Sequence, residues 1–245
     1  MLDFPNTNHA DQQSKPDGGL PYGGPARVDL QTAVWFCRNV GERAEAVAKA
    51  VGIKDGVLVL SSFGELSVAN RLGDWKKIEP RTKIFRPGEH QAMANLAVAW
   101  AKEPGRNVYL PMVLYPDGLG GSKRGKASDA LGIFGLGADL DGDKGCKIRI
   151  EDLPLPPTCV ISSSRDPADN FNLLWLFDRL ISLEQARPMA KALAAFVGDS
   201  DGGTADPTHV WRVPGTLNWP KRSKVARGRP LVAQLVRLCR GEALS

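Results

Sequence analysis

The chain has 245 residues, enough for one well-buried domain or two lobes sharing a core, and its 42% apolar and 24% charged fractions are those of an ordinary soluble globular protein. No apolar run reaches the ~20 residues a membrane helix needs, and no basic-then-apolar signal segment opens the sequence, so a cytoplasmic setting without a membrane partner is expected. The net charge of +5 points mildly to a polyanionic partner, while the four separated cysteines form no Cys-x-x-Cys pair, which argues against structural zinc and for reduced thiols.

Residues 1–28 are rich in Pro, Gly, Asn, Asp and Gln without a hydrophobic period, and are expected to be a disordered tail ahead of one domain over 29–245. From Asp29, a plausible N-cap, apolar residues recur at helical spacing as far as a stop at Gly52. A strand and turn over 56–66 and a polar segment with sparse apolar anchors up to Phe85 come next. A helix over 88–105 then places Ala92, Leu96 and Trp100 on one face. Residues 107–118 are β-branched and aromatic and read as a strand. The loop 118–129 is glycine-rich and carries Lys123, Arg124 and Lys126; it lacks Walker A spacing, so it is either a phosphate-holding loop or a solvated one. Strands over 158–162 and 170–181 and a helix over 182–198, opened by a Ser182–Gln185 capping box, complete the middle of the chain. A basic stretch (Lys221, Arg222, Lys224, Arg227, Arg229) headed by Trp219 leads into a last strand or helix. Strands and helices alternate without βαβ regularity, which favours an α+β fold over a doubly wound sheet.

The chemistry concentrates in LGIFGLGADLDGDKG (131–145), where an apolar run ends in Asp139, Asp141 and Asp143 at alternate positions. An extended backbone puts the first two carboxylates on one face, about 7 Å apart. Such a pair repels itself unless a pKa rises or a cation intervenes, and Mg²⁺ or Mn²⁺ is a cation that takes carboxylate oxygens. The segment is not an EF-hand, because Lys144 and Ile150 occupy the positions of the required Gly and Glu. A surface turn capped by aspartates is the competing reading, and Asp143 is assigned to such a turn.

Two later stretches bear on that choice: SSSRDPADNFNLLW (162–175) and DPTHVWRVPGTLN (206–218). With ADLDGD, and in this order, they resemble the archaeo-eukaryotic primase superfamily, most closely its primase-polymerase branch and the RepB-like primases of plasmids and phages. The resemblance runs from about Asn107 to Arg222. It implies an α+β core in which an RRM-like antiparallel sheet half carries the metals beside an N-terminal αβ unit.

It also implies a template-dependent primase or polymerase acting on single-stranded DNA with NTPs or dNTPs, in plasmid, phage or mobile-element replication, with a replicative helicase or further domain as a possible partner. By this resemblance Asp139, Asp141 and Asp206 are the catalytic, metal-binding acids. Ser163, Ser164, Arg165, Asn172 and Arg212 are nucleotide contacts, and Lys123, Arg124, Lys126, Lys221 and Arg222 meet nucleic acid. The family's Ser…His motif departs here, with Asn172 at the histidine position; His209 is an alternative source of the imidazole. Two other classes stay open: a non-catalytic nucleic-acid-binding module for origin recognition, and a metal-dependent nuclease or phosphatase.

Overall fold

The computed structural model describes residues 26–67, 75–119, 124–146, 148–198 and 203–239. The expected tail lies outside these residues except for 26–28, as does Lys123. The fold is mixed α and β. Four helices accompany a nine-stranded sheet and a two-stranded one among the described residues, and every strand pairing is antiparallel.

Helix α1 (Leu30–Ala50) starts where expected: the Asp29 carboxylate accepts the Thr32 N–H at 3.1 Å and the Thr32 hydroxyl at 2.6 Å. It stops at Gly52, whose φ of +76° is the left-handed conformation that ends helices. Its buried face (Ala33, Phe36, Cys37, Val40, Ala44, Val47) packs with α2 (His90–Ala101) on Leu58, Leu60, Leu110, Met112 and Phe134 of the sheet. Burying each large side chain of this kind contributes roughly 1.5–3 kcal/mol.

Strand β1 (Gly56–Ser67) pairs on one side with β2 (Trp75–Phe85) and on the other with β3 (Arg106–Pro111) and β4 (Val113–Pro116). The single strand expected over 107–118 is thus interrupted at Met112, where the register against β1 shifts by two residues. Strand β2 falls in the segment read as polar with sparse apolar anchors. Among the described residues it pairs only with β1, it contains Pro80, and a lysine-rich edge strand with a proline lacks the apolar alternation that marks a strand. Buried Arg106 ties this region together, donating to Glu103, to the Ser62 hydroxyl and to the Glu79 carbonyl, each at 3.0 Å.

The other half of the sheet comprises β5 (Gly132–Asp141), β6 (Cys159–Ser164) and β7 (Asn170–Ile181), with β7 between β5 and β6. Helix α3 (Leu183–Val197) follows, and its Ser182–Gln185 capping box forms as read. Strand β8 (Val210–Arg212) adds to β3; β9 (Leu217–Asn218) pairs with β10 (Gln234–Leu235); α4 (Arg222–Val225) is a single turn; β11 (Arg237–Cys239) closes the edge beside β6. The C-terminal segment is therefore strand rather than helix. Glycine at 137 lets the two halves approach, because a Cβ there would lie 2.5 Å from Trp211 Cζ2. No helix among the described residues is long and apolar enough to cross a membrane.

Candidate metal and nucleotide cleft

Strand β5 remains extended through Asp141, so Asp139 and Asp141 do share a face, and a cleft of about 330 Å³ opens over them. Opposite them on β7 stand Asn172 and Asn170, in register with Asp139 and Asp141 respectively. The Asn172 amide donates to the Asp139 carboxylate, which fixes that carboxylate against the strand. The amide's own oxygen is buried and has no hydrogen-bond partner among the described residues.

Asp141 is treated differently. The short 3₁₀ turn Gly142–Lys144 folds the Lys144 ammonium back to 2.7 Å from its carboxylate, and α4 brings Lys224 to 3.3 Å. Burial pushes this carboxyl upward, but the two ammonium groups outweigh it and hold it below the usual carboxylate range.

The serines lie beside this pair. The Ser163 hydroxyl is occupied, donating to the Asn170 carbonyl at 3.1 Å; Ser164 Oγ accepts from the Asn170 amide at 2.8 Å and keeps its proton for another acceptor. Arg212 lines the cleft with its guanidinium 5.1 Å from the Tyr109 ring centroid, and its Nη1 is buried without a partner among the described residues. Lys221 reaches the same cleft from the N-cap of α4.

The remaining expected contacts fall elsewhere. Asp206 does not line the cleft: its Oδ1 accepts both the N–H (2.9 Å) and the hydroxyl (2.8 Å) of Thr208. Among the described residues no three of His, Cys, Asp and Glu gather to hold a metal ion. Asp-Pro-Thr closes an Asx turn on one oxygen of that carboxylate, so the residues lining the cleft include Asp139 and Asp141 and not Asp206. The residue this turn delivers to the cleft is His209, whose ring lies 4.7 Å from that of Trp211.

Arg165 and Lys126 line no part of the cleft. The Arg165 N–H donates to Gln234, and the Lys126 N–H to Asp129 at the start of a 3₁₀ turn. Arg222 is exposed, its N–H bonded to Glu65 at 3.0 Å. Arg124 lies in a neighbouring groove. Trp219, at the head of the basic stretch, braces the fold: its indole donates to the Ala101 carbonyl and its N–H to Asn107.

The Pro-Gly-Thr turn is also structural. Gly215 has a φ of +83° and packs its α-carbon against the Asp29 carbonyl and Ala33 with no room for a Cβ, while Asn218 donates to the Ser163 carbonyl. The residues that the sequence reading did not assign to the site are Lys144, Lys224, Asn170, Tyr109 and Phe63. Of these, Lys144, three residues beyond Asp141, and Lys224, within the basic stretch, carried a local signal.

The donor chemistry suits a hard divalent cation: two carboxylates and the unpartnered Asn172 oxygen are all oxygen ligands of the kind Mg²⁺ and Mn²⁺ take. Neither a protein-family model nor a curated protein matches the chain. Among solved structures it is similar to the AEP domain (PP-N190) of the cyanophage S-2L primase-polymerase, with a TM-score of 0.42 and 11% identity over 80% of this chain and 89% of that one.

Proposed function

We propose that the chain is a template-dependent nucleotidyltransferase of the archaeo-eukaryotic primase superfamily, in its primase-polymerase and RepB-like branch, making primers on single-stranded DNA for a plasmid, phage or mobile element. The observation that carries this reading is the Asp139–Asp141 pair at the end of β5, facing Ser164, Asn172, Arg212 and a ring of lysines and arginines in one cleft. The order of the Asp-x-Asp, serine and Arg-x-Pro-Gly-Thr-x-Asn motifs along the chain supports it.

In such a transfer the primer 3′-oxygen bonds to the α-phosphorus, the bond to pyrophosphate breaks, and the protein mainly positions the reactants and offsets charge. Asp139 and Asp141, with the Asn172 oxygen, would hold Mg²⁺ or Mn²⁺, which when bound supplies stabilisation of the attacking and leaving oxygens. Asn172 keeps Asp139 oriented. Lys144 and Lys224 neutralise Asp141 in the free chain and are placed to transfer their charge to a triphosphate. Arg212 and the Ser164 hydroxyl are donors aimed at the same phosphates. Asp206 holds the turn that presents His209.

A second reading is supported by the two lysines on Asp141 together with the absence of Asp206 from the cleft: a nucleic-acid-binding module without catalysis. Incubation with single-stranded template, Mg²⁺ or Mn²⁺ and labelled nucleotides separates the readings. Polymer that disappears in Asp139→Ala/Asp141→Ala supports synthesis, template shortening supports a nuclease, and retention of template without either supports the module.

A further inference from the structure

The two carboxylates of the cleft are held by different kinds of donor. Asp139 accepts from the neutral amide of Asn172, whereas both oxygens of Asp141 face an ammonium: Lys144 Nζ lies 2.7 Å from Oδ2 and Lys224 Nζ 3.3 Å from Oδ1. A metal ion binds a carboxylate through those same oxygen lone pairs. A lone divalent cation approaching Asp141 would therefore meet two positive charges already in contact with it. The two lysines come from the turn after β5 and from α4, some 80 residues apart, so it is the fold that brings both onto one carboxylate.

The backbone that carries each lysine is anchored. In the turn, the Gly142 N–H donates to the Asp169 carbonyl at 3.2 Å and the Cys146 N–H returns to the Asp141 carbonyl at 3.3 Å. Helix α4 is fastened at its start by the Arg222 N–H on Glu65. Beyond its end, buried Arg229 donates to the Asn218 carbonyl at 2.6 Å through its guanidinium and to the Lys224 carbonyl at 3.1 Å through its N–H. What can swing is the flexible four-carbon stem of each lysine. Both side chains line the cleft and are 22–23% exposed, so a ligand entering it can reach their ammonium groups.

We propose that Lys144 and Lys224 form a cationic plug that keeps a bare divalent ion off Asp141 and yields only to a polyphosphate, so that metal and triphosphate enter the cleft together. A triphosphate offers the two ammonium groups more negative charge than one carboxylate does. Once the lysines turn to it, both Asp141 oxygens open to the ion that the same phosphates carry. Such coupling is reciprocal: whatever draws the lysines away raises affinity for the metal, and a metal that displaces them raises affinity for the phosphates. The proposal rests on the nucleotidyl-transfer reading for the identity of the polyphosphate, while exclusion of the bare ion follows from the two ion pairs alone.

The test is Mn²⁺ binding followed by water-proton relaxation, first without nucleotide or template. Lys144→Gln/Lys224→Gln should bind Mn²⁺ about 5- to 150-fold more tightly than wild type, and adding Asp141→Asn should abolish that gain. With the Mn²⁺ complexes of ATP and dATP as probes the order should reverse, at least one of them binding the lysine variant more weakly than wild type. A lysine effect of opposite sign on bare and on complexed Mn²⁺ is not expected of ion pairs that only brace the fold. Unchanged or weaker bare Mn²⁺ binding in the lysine variant, a gain that survives Asp141→Asn, or neither complex bound more weakly by the lysine variant overturns the proposal. The expected reversal in a chain that makes no polymer sinks the nucleotidyl-transfer reading alone. Polymer from a chain whose Mn²⁺ affinity ignores the lysines sinks the plug alone.

Discussion

Replacing Asn172 with leucine removes a side chain that donates to Asp139 while keeping the same branched shape. The lost bond is to a charged acceptor, and such bonds are worth roughly 1.5–3 kcal/mol. The substitution also removes a buried amide oxygen with no partner, whose desolvation costs about 1–3 kcal/mol, so the two effects on stability oppose each other. Asn172→Leu should therefore melt within about 6 °C of wild type. Activity has no such compensation, because the carboxylate is no longer fixed for its ligand. Primer synthesis should fall about 10- to 150-fold at fixed Mn²⁺, with part of the loss recovered at higher Mn²⁺. Melting by circular dichroism and synthesis across a Mn²⁺ titration read the two effects separately. Wild-type synthesis with an unchanged Mn²⁺ dependence would refute the role given to Asn172.

Gly137→Ala places a Cβ against the buried Trp211 ring, and overpacking of this kind costs about 1–3 kcal/mol; a drop in Tm of about 2–12 °C is expected, and an unchanged Tm would show that the sheet halves do not meet there. The depressed Asp141 carboxyl contributes stability that is present above its unfolded pKa and lost as pH falls through the folded value. Urea denaturation between about pH 5 and pH 3 should accordingly lose less stability in Lys144→Gln/Lys224→Gln than in wild type. Burial pushes the Cys37 and Cys159 thiols up to about 12, so at pH 8 iodoacetamide should modify the partly exposed Cys146 and Cys239 first, as read by mass spectrometry; early labelling of Cys37 would contradict the packing of α1.

Local signals carried the helices and most strands into the structure. The Asp29 cap, the Ser182 capping box and the apolar run at 170–181 each act within a few residues, so a single stretch suffices to read them. Strand β2 was illegible because an edge strand needs no apolar alternation, and the break at Met112 because a shift of register has no composition of its own. The Asp139–Asp141 pair was legible for the same local reason as the caps. Several of its partners were not: Asn170, Lys224 and Tyr109 reach the cleft through strand register and through α4, which no spacing in the chain encodes. Asp206 shows the reverse case: its neighbours in a motif suggested a distant role, while Thr208, two residues on, takes one oxygen of its carboxylate.

Template-directed incorporation on a poly(dT) template tests the central claim most directly, with each labelled nucleotide offered alone in the presence of Mn²⁺. Polymer is expected from the adenine nucleotide and none from the other bases, abolished in Asp139→Asn/Asp141→Asn while the variant's circular dichroism and Tm stay close to wild type. Incorporation that ignores the template base, or polymer that survives loss of both carboxylates, would contradict it.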